Sequence, residues 1–132
     1  MKLLIFAARI LLGLVFFVFG LNHIVMFLHA PMPTGDAGTL FTVMSAHKWF
    51  VVYGLIEAAA GLMLLLGRFV PLGLTLLAGV GVNILLFVGT LMPGFSALAM
   101  PLFLAALEAL LVYAYRDAFA GIFRAKAEPT LG

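Results

Sequence analysis

Five polar side chains interrupt the long apolar stretches of this chain and could do chemistry there: Arg9, His23, Glu57, Asn83 and Glu108. Two carboxyls, a guanidinium and an imidazole can hold, pass or neutralise a proton, and an amide can orient a neighbour by hydrogen bonding. Charged groups inside a bilayer are costly, and those that persist there face a bundle interior and carry a role. One arginine against two glutamates leaves excess negative charge in a low-dielectric interior. One of the two carboxyls is then expected to carry an exchangeable proton, suited to a quinol, a transported ion or a small acid. His23, nearer the other end of the first span, could relay a proton or meet a head group.

Helical spacing groups these residues. At ~100° per residue, Arg9, Gly13, Phe16, Gly20, His23 and Phe27 fall within about 40° of one line, whereas Asn22 points nearly the opposite way. Tyr53, Gly54, Glu57, Gly61 and Leu64 share a second face, and Gly79 lies one turn from Asn83 on a third helix. Glycines beside polar residues allow helix backbones to approach closely, so each span is expected to turn its polar residue toward the others. At ~1.5 Å rise per residue, Arg9 lies roughly 9 Å from one end of the bundle, Glu108 roughly 12 Å, Glu57 roughly 15 Å and Asn83 roughly 20 Å. Arg9 is thus expected to reach one of the two glutamates.

Other chemistries find less support. The chain has no cysteine, so it has no disulfide, no CxxC pair, no cysteine-ligated iron–sulfur cluster and no thiol nucleophile. Redox electrons would have to travel on a borrowed, non-covalent cofactor such as a quinone. His23, His29 and His47 with Asp36 are the only residues that could gather around a metal or haem, but they form no metal-ligand spacing motif, and no metal is expected. The seven methionines read as apolar filling rather than a copper site. Gly79-Val80-Gly81 lies inside an apolar run, not after a strand, and is no nucleotide loop. Seven basic residues dispersed along such a chain make no nucleic-acid groove, despite a net charge of +2.

The elements that must position these residues follow from composition. Of 132 residues, 66% are hydrophobic and 9% charged, far from the make-up of a soluble domain. So short a chain cannot bury that much apolar surface in one core, so its solvent must be lipid. We expect an all-α integral membrane protein: one antiparallel four-helix domain over residues 1–132, with spans at about 3–28, 47–66, 70–91 and 97–116 and a tail at 117–132. A secretory signal peptide is the competing reading of the first run. That run exceeds an ordinary h-region, and Leu28-His29-Ala30 lacks the small residue that opens an A-x-A cleavage site.

Ala30 to Gly38 carries Pro, Gly and Asp and reads as a polar connector that breaks helices. Gly67 followed by Pro71 marks a tight hairpin that makes the second and third spans antiparallel neighbours. Met92-Pro93-Gly94 closes the third span. In the fourth, Pro101 could open the helix or kink one capped by Ser96.

With four spans, Lys2, Arg68, Arg116, Arg124 and Lys126 share one side, together with Arg9 just inside the first helix, while Lys48 stands alone on the other. The positive-inside rule places both termini in the cytoplasm. Trp49, Phe50 and Tyr53 fall at the outer interface, Tyr113 and Tyr115 at the inner one. The tail mixes Phe119, Ile122 and Phe123 with Arg124 and Lys126; it could lie on the membrane surface or be simply solvated.

Ala8-Arg9-Ile10-Leu11-Leu12-Gly13-Leu14-Val15-Phe16, followed by Phe19-Gly20-Leu21-Asn22-His23, resembles the first helix of the DoxX family of membrane proteins. Gly54-Leu55-Ile56-Glu57 with Gly61, and Gly67-Arg68-Phe69-Val70-Pro71-Leu72, resemble that family's second helix and its hairpin. Val82-Asn83-Ile84-Leu85-Leu86-Phe87 and Tyr115-Arg116-Asp117-Ala118-Phe119 resemble its later segments, so the likeness runs along nearly the whole chain. The resemblance implies a four-helix protein of the bacterial cytoplasmic (inner) membrane. Some members are tied to quinone-dependent sulfur oxidation or to oxidoreductase assemblies with antioxidant partners, and most have no settled activity. The family's recurrent polar positions map to Arg9, Glu57 and Asn83. Members of this type often carry a histidine soon after the segment matching 83–87, where this chain has Val88, a departure that weakens the transfer of a histidine-dependent activity.

The expected function is a membrane subunit that binds a quinone or similar amphiphile between its helices and works with an oxidoreductase partner protein. Glu57 and Glu108 would exchange protons; Arg9 and Asn83 would orient them. Two other classes remain open. Arg9, Glu57, Asn83 and Glu108 could line a path for a proton or small solute, in a single chain or a homodimer, although about one inward polar residue per span is too few to hold a water column. Alternatively, an Arg–Glu pair and an interhelical Asn bond could merely lock four short helices in register, making the chain a structural scaffold.

Overall fold

The computed structural model describes residues 1–92 and 94–131. Among these residues all regular structure is helical: α1 (Lys2–Val25), α2 (Gly35–Ala46), α3 (Trp49–Leu66), α4 (Val70–Leu91), α5 (Ala99–Ala114) and α6 (Arg116–Phe119), with a short 3-10 turn at Phe95–Leu98 before α5. Four helical stretches are long and apolar enough to cross a membrane: α1, α3, α4, and the 3-10 turn continued by α5. Contacts close them into a ring, α1 to α3 to α4 to α5 and back to α1, with α1 against α3 the most extensive pairing. The accessible surface is 9009 Å², against about 6,700 Å² for a compact soluble chain of this mass. Much of it is apolar, including Phe6, Leu14, Leu55, Leu62, Leu86 and Phe103 on outward faces. Such a surface suits a hydrocarbon solvent rather than water.

Local chemistry sets the helix ends. The first span is shorter than expected, ending at Val25. Met26 adopts a left-handed conformation (φ 54°), and the Asn22 side-chain oxygen accepts the Leu28 N–H at 2.6 Å. Asn22, off the polar stripe, thereby ends the helix. At the α3–α4 hairpin Gly67 has φ 69°, the Arg68 N–H donates to Met63 O at 3.1 Å and the Gly67 N–H to Leu64 O at 3.3 Å. These two bonds form a Schellman stop, and Pro71 stands in the first turn of α4. Pro101 neither opens the fourth span, which begins with the 3-10 turn at Phe95, nor breaks it: it is the third residue of α5, where its missing N–H leaves no α-helical bond of α5 unmade.

The connector after α1 is not wholly irregular. Residues 35–46 form α2, which packs on α3 and α4 at the end of the bundle remote from the termini. Ala37 is fully buried, and Gly38 presses against the Pro33 carbonyl. Beyond α5, Phe119 of α6 tucks into the core, and the tail that follows is exposed.

The buried core is one-sided. Ala8, Leu12 and Phe16 meet Ala60, Leu64, Leu74, Leu77 and Leu111, all in the half of the ring that carries the termini and the hairpin. The half nearest α2 is hollow.

Candidate functional site

α1 and α3 run antiparallel in a register set by glycine. A methyl group added at Gly20 would stand 2.8 Å from Gly54 O, and one at Gly61 would stand 2.7 Å from Gly13 O. Only glycine permits these approaches, which are tighter than side-chain contacts allow. In this register, with Gly54 close to His23 and Gly61 close to Phe17, the Cα atoms of His23 and Glu57 are offset by roughly 5 Å along the axis, at ~1.5 Å per residue. Helical side chains lean toward their own N-terminus, so on antiparallel helices these two lean toward one another across the Gly20–Gly54 contact. His23 Nδ1 lies 3.2 Å from Glu57 Oε2. The two atoms are at ion-pair distance, although Nδ1 is not aligned for a regular hydrogen bond. Glu57 is only 3% exposed and is the one buried charged residue among the described residues.

The pair forms part of the wall of the hollow half, a cavity of about 790 Å³. α2 contributes Leu40, Phe41 and Met44; α3 contributes Trp49, Phe50 and Tyr53; α4 contributes Asn83 and Phe87. The rings follow one another in series, tilted to each other. His23 lies 5.2 Å from Phe50 at 33°, and Phe50 lies 4.7 Å from Phe41 at 40°. Aromatic faces thus run from α2 to the imidazole, and a carboxylate stands behind it. With Nδ1 turned to Glu57, Nε2 is the ring nitrogen available to a ligand, and the His–Glu pair can share, release or accept a proton beside it. His47 lies at the rim of this cavity. Among the described residues no three His, Asp or Glu side chains converge on a metal-sized site.

The other expected site residues separate. Arg9 does not reach a glutamate: among the described residues its guanidinium is within 4 Å of no carboxylate. It lies over Phe6, 5.4 Å from the ring centre, and against Gly67 at the hairpin. Gly67 is ten residues from Glu57, roughly 15 Å at the rise of a helix. Asn83 lines the cavity but makes no interhelical bond among the described residues; its Nδ2 donates back to Gly79 O at 3.4 Å. Thr75 and Thr90 of the same helix likewise bond to the carbonyl four residues before them, which satisfies a polar group in an apolar solvent without a partner helix. Glu108 lies apart from Glu57, in a second cavity of about 520 Å³ between α4 and α5. Phe16, Ile84 and Leu104 line both cavities and form the partition.

Sequence reasoning missed the His23–Glu57 contact because it compared depths at Cα and ignored the opposite lean of side chains on antiparallel helices. The signal was there in the Gly20 and Gly54 steps, which fix the register. The fold and its cavity define an all-helical chain with four potential membrane spans and a hollow at one end. Comparison with protein-family models, with curated proteins and with solved structures gives no significant match.

Proposed function

We propose that this chain is a DoxX-type subunit of the bacterial cytoplasmic membrane that binds a quinone or a similar amphiphile in the cavity beside α2. One observation carries the proposal: a half-buried His23 against a buried Glu57 on the wall of an aromatic cavity large enough for a small-molecule head group. The aromatic faces would hold a planar ring, and the pair would exchange the proton that accompanies its reduction or oxidation. Asn83 would orient the ring's oxygen. Electrons would come from a partner oxidoreductase. Both termini would lie in the cytoplasm and the cavity would open toward the outside.

Trp49 is the only tryptophan in the chain and it lines this cavity. A short-chain ubiquinone should therefore quench its fluorescence saturably in purified protein. Glu57→Gln, which takes away the charged neighbour of His23, should weaken that binding by roughly tenfold, the order expected for a charge-assisted contact. A wild type without saturable quenching, or Glu57→Gln and His23→Gln variants that bind as well as wild type, would overturn the proposal.

The shared partition favours one second function. Two cavities backing onto Phe16, Ile84 and Leu104 are what a small proton or solute transporter would need if that partition opened. Flux into proteoliposomes separates the two functions, since a quinone-binding subunit moves no solute.

A further inference from the structure

The groove between α4 and α5 plays no part in quinone binding at the other cavity, and its chemistry is different. Its walls are almost wholly apolar, with Leu77, Leu85 and Val112 along its length. One acidic group stands in it, Glu108, whose two carboxylate oxygens are both buried and have no hydrogen-bond partner among the described residues. The basic group at the mouth is already engaged. Arg116 Nη1 donates to Tyr113 O at 2.9 Å, and its guanidinium lies 4.4 Å from the Tyr113 ring. No ion pair joins Arg116 to Glu108.

A paired acceptor in an apolar groove calls for an occupant that brings both positive charge and N–H donors. Glu108 lies six residues inside the end of α5, roughly 9 Å at the rise of a helix, which is deeper than a phospholipid phosphate is comfortably drawn. A phosphate would also bring negative charge toward the carboxylate. We propose that the groove binds a single-chain amphiphilic amine, its ammonium donating to both Glu108 oxygens and its tail lying between α4 and α5. This site is independent of the quinone cavity, so either proposal can fail alone.

The probe is a spin-labelled long-chain alkylammonium added to the protein in phosphatidylcholine nanodiscs, read as the immobilised component of its electron paramagnetic resonance spectrum. A spin-labelled alcohol of equal chain length is the uncharged comparison. The ammonium should show an immobilised component that the alcohol lacks. Glu108→Gln should weaken its association roughly tenfold, while Asp36→Asn, an exposed carboxylate at the other end, should leave it unchanged. Gly81→Leu should abolish it by filling the groove: Gly81 lines the cavity and an added Cβ there meets nothing within 4 Å. Equal immobilisation of ammonium and alcohol would overturn the proposal, as would a folded Glu108→Gln or Gly81→Leu variant that binds like wild type. Displacement of the probe by phosphatidylethanolamine would also overturn it, by assigning the groove to a lipid head group.

Discussion

Glu57 is buried beside glycine backbone, and the group that meets it is an imidazole rather than a guanidinium. That difference has an energetic signature. Residues in contact couple by about 0.5–3 kcal/mol in double-mutant cycles, whereas distant residues add within about 0.5 kcal/mol. His23→Leu and Glu57→Leu should therefore be sub-additive in thermal or denaturant unfolding, with a coupling of about 1–2 kcal/mol. Arg9→Met combined with Glu57→Leu should be additive, since Arg9 lies at Gly67 and not at the carboxylate. The reverse pattern would mean that Arg9 is the partner of Glu57. At this scale the sequence revealed most of the residues that turn inward: Gly13, Phe16 and Gly20 of the first stripe, and Gly54, Glu57, Gly61 and Leu64 of the second, are buried, Arg9, His23 and Tyr53 are half-buried, and Phe27, past the end of α1, is exposed. It did not reveal who pairs with whom, because that depends on the lean of long side chains across a contact between two helices. Asn83 illustrates the same limit, since its own helix offered a carbonyl closer than any neighbour.

Among the elements, the α1–α3 pair holds the tightest helix-to-helix approach found at the described glycines. A Cβ at Gly20 or Gly54 would stand 2.5 Å from a backbone atom of the facing helix, so neither atom can swing aside and the helices must part. Gly20→Ala and Gly54→Ala should each destabilise by about 1–3 kcal/mol, the usual range for overpacking. Each should also draw His23 away from Glu57 and weaken quinone quenching of Trp49. Gly79→Ala is the counter-example: its Cβ meets nothing within 4 Å, and alanine favours a helix by about 1 kcal/mol over glycine. It should be neutral or stabilising in the same melting experiment. Three variants that are all neutral or stabilised would mean that helix propensity rather than close approach governs these positions.

Helices α3 and α4 and the hairpin between them were legible because Gly67 and Pro71 are local signals. α2 was not. Thr39, Thr42 and Val43 are poor helix formers, Thr34 gives no side-chain cap, and what holds the segment is packing of Ala37 and Gly38 against the rest of the chain. It forms one wall of the cavity, so the hollow itself could not be read from the spans alone.

For the whole molecule, the packed half and the hollow half are also chemically unlike. Lys2, Arg9, Arg68, Arg116, Arg124 and Lys126 lie toward the packed end, with Lys48 toward the hollow one. By the positive-inside rule the packed end should be cytoplasmic, and α2 with its cavity should then face the opposite compartment. The chain has no cysteine, so a single introduced thiol reports its own side without ambiguity. Ser45→Cys places one at an exposed position at the end of α2, and Gly121→Cys one at an exposed position past α6 where an added Cβ meets nothing within 4 Å. In bacterial spheroplasts a membrane-impermeant maleimide should label the Ser45→Cys variant directly and the Gly121→Cys variant only after lysis. Labelling in the opposite order would invert the orientation; labelling of both from one side would break the even number of crossings. The result also decides which aqueous phase the His23–Glu57 pair serves. With α2 outside, the proton shared by that pair would be exchanged across the short path through α2 to the outer phase. The packed core of Leu12, Leu64, Leu74 and Leu77 closes the way to the end that carries the termini.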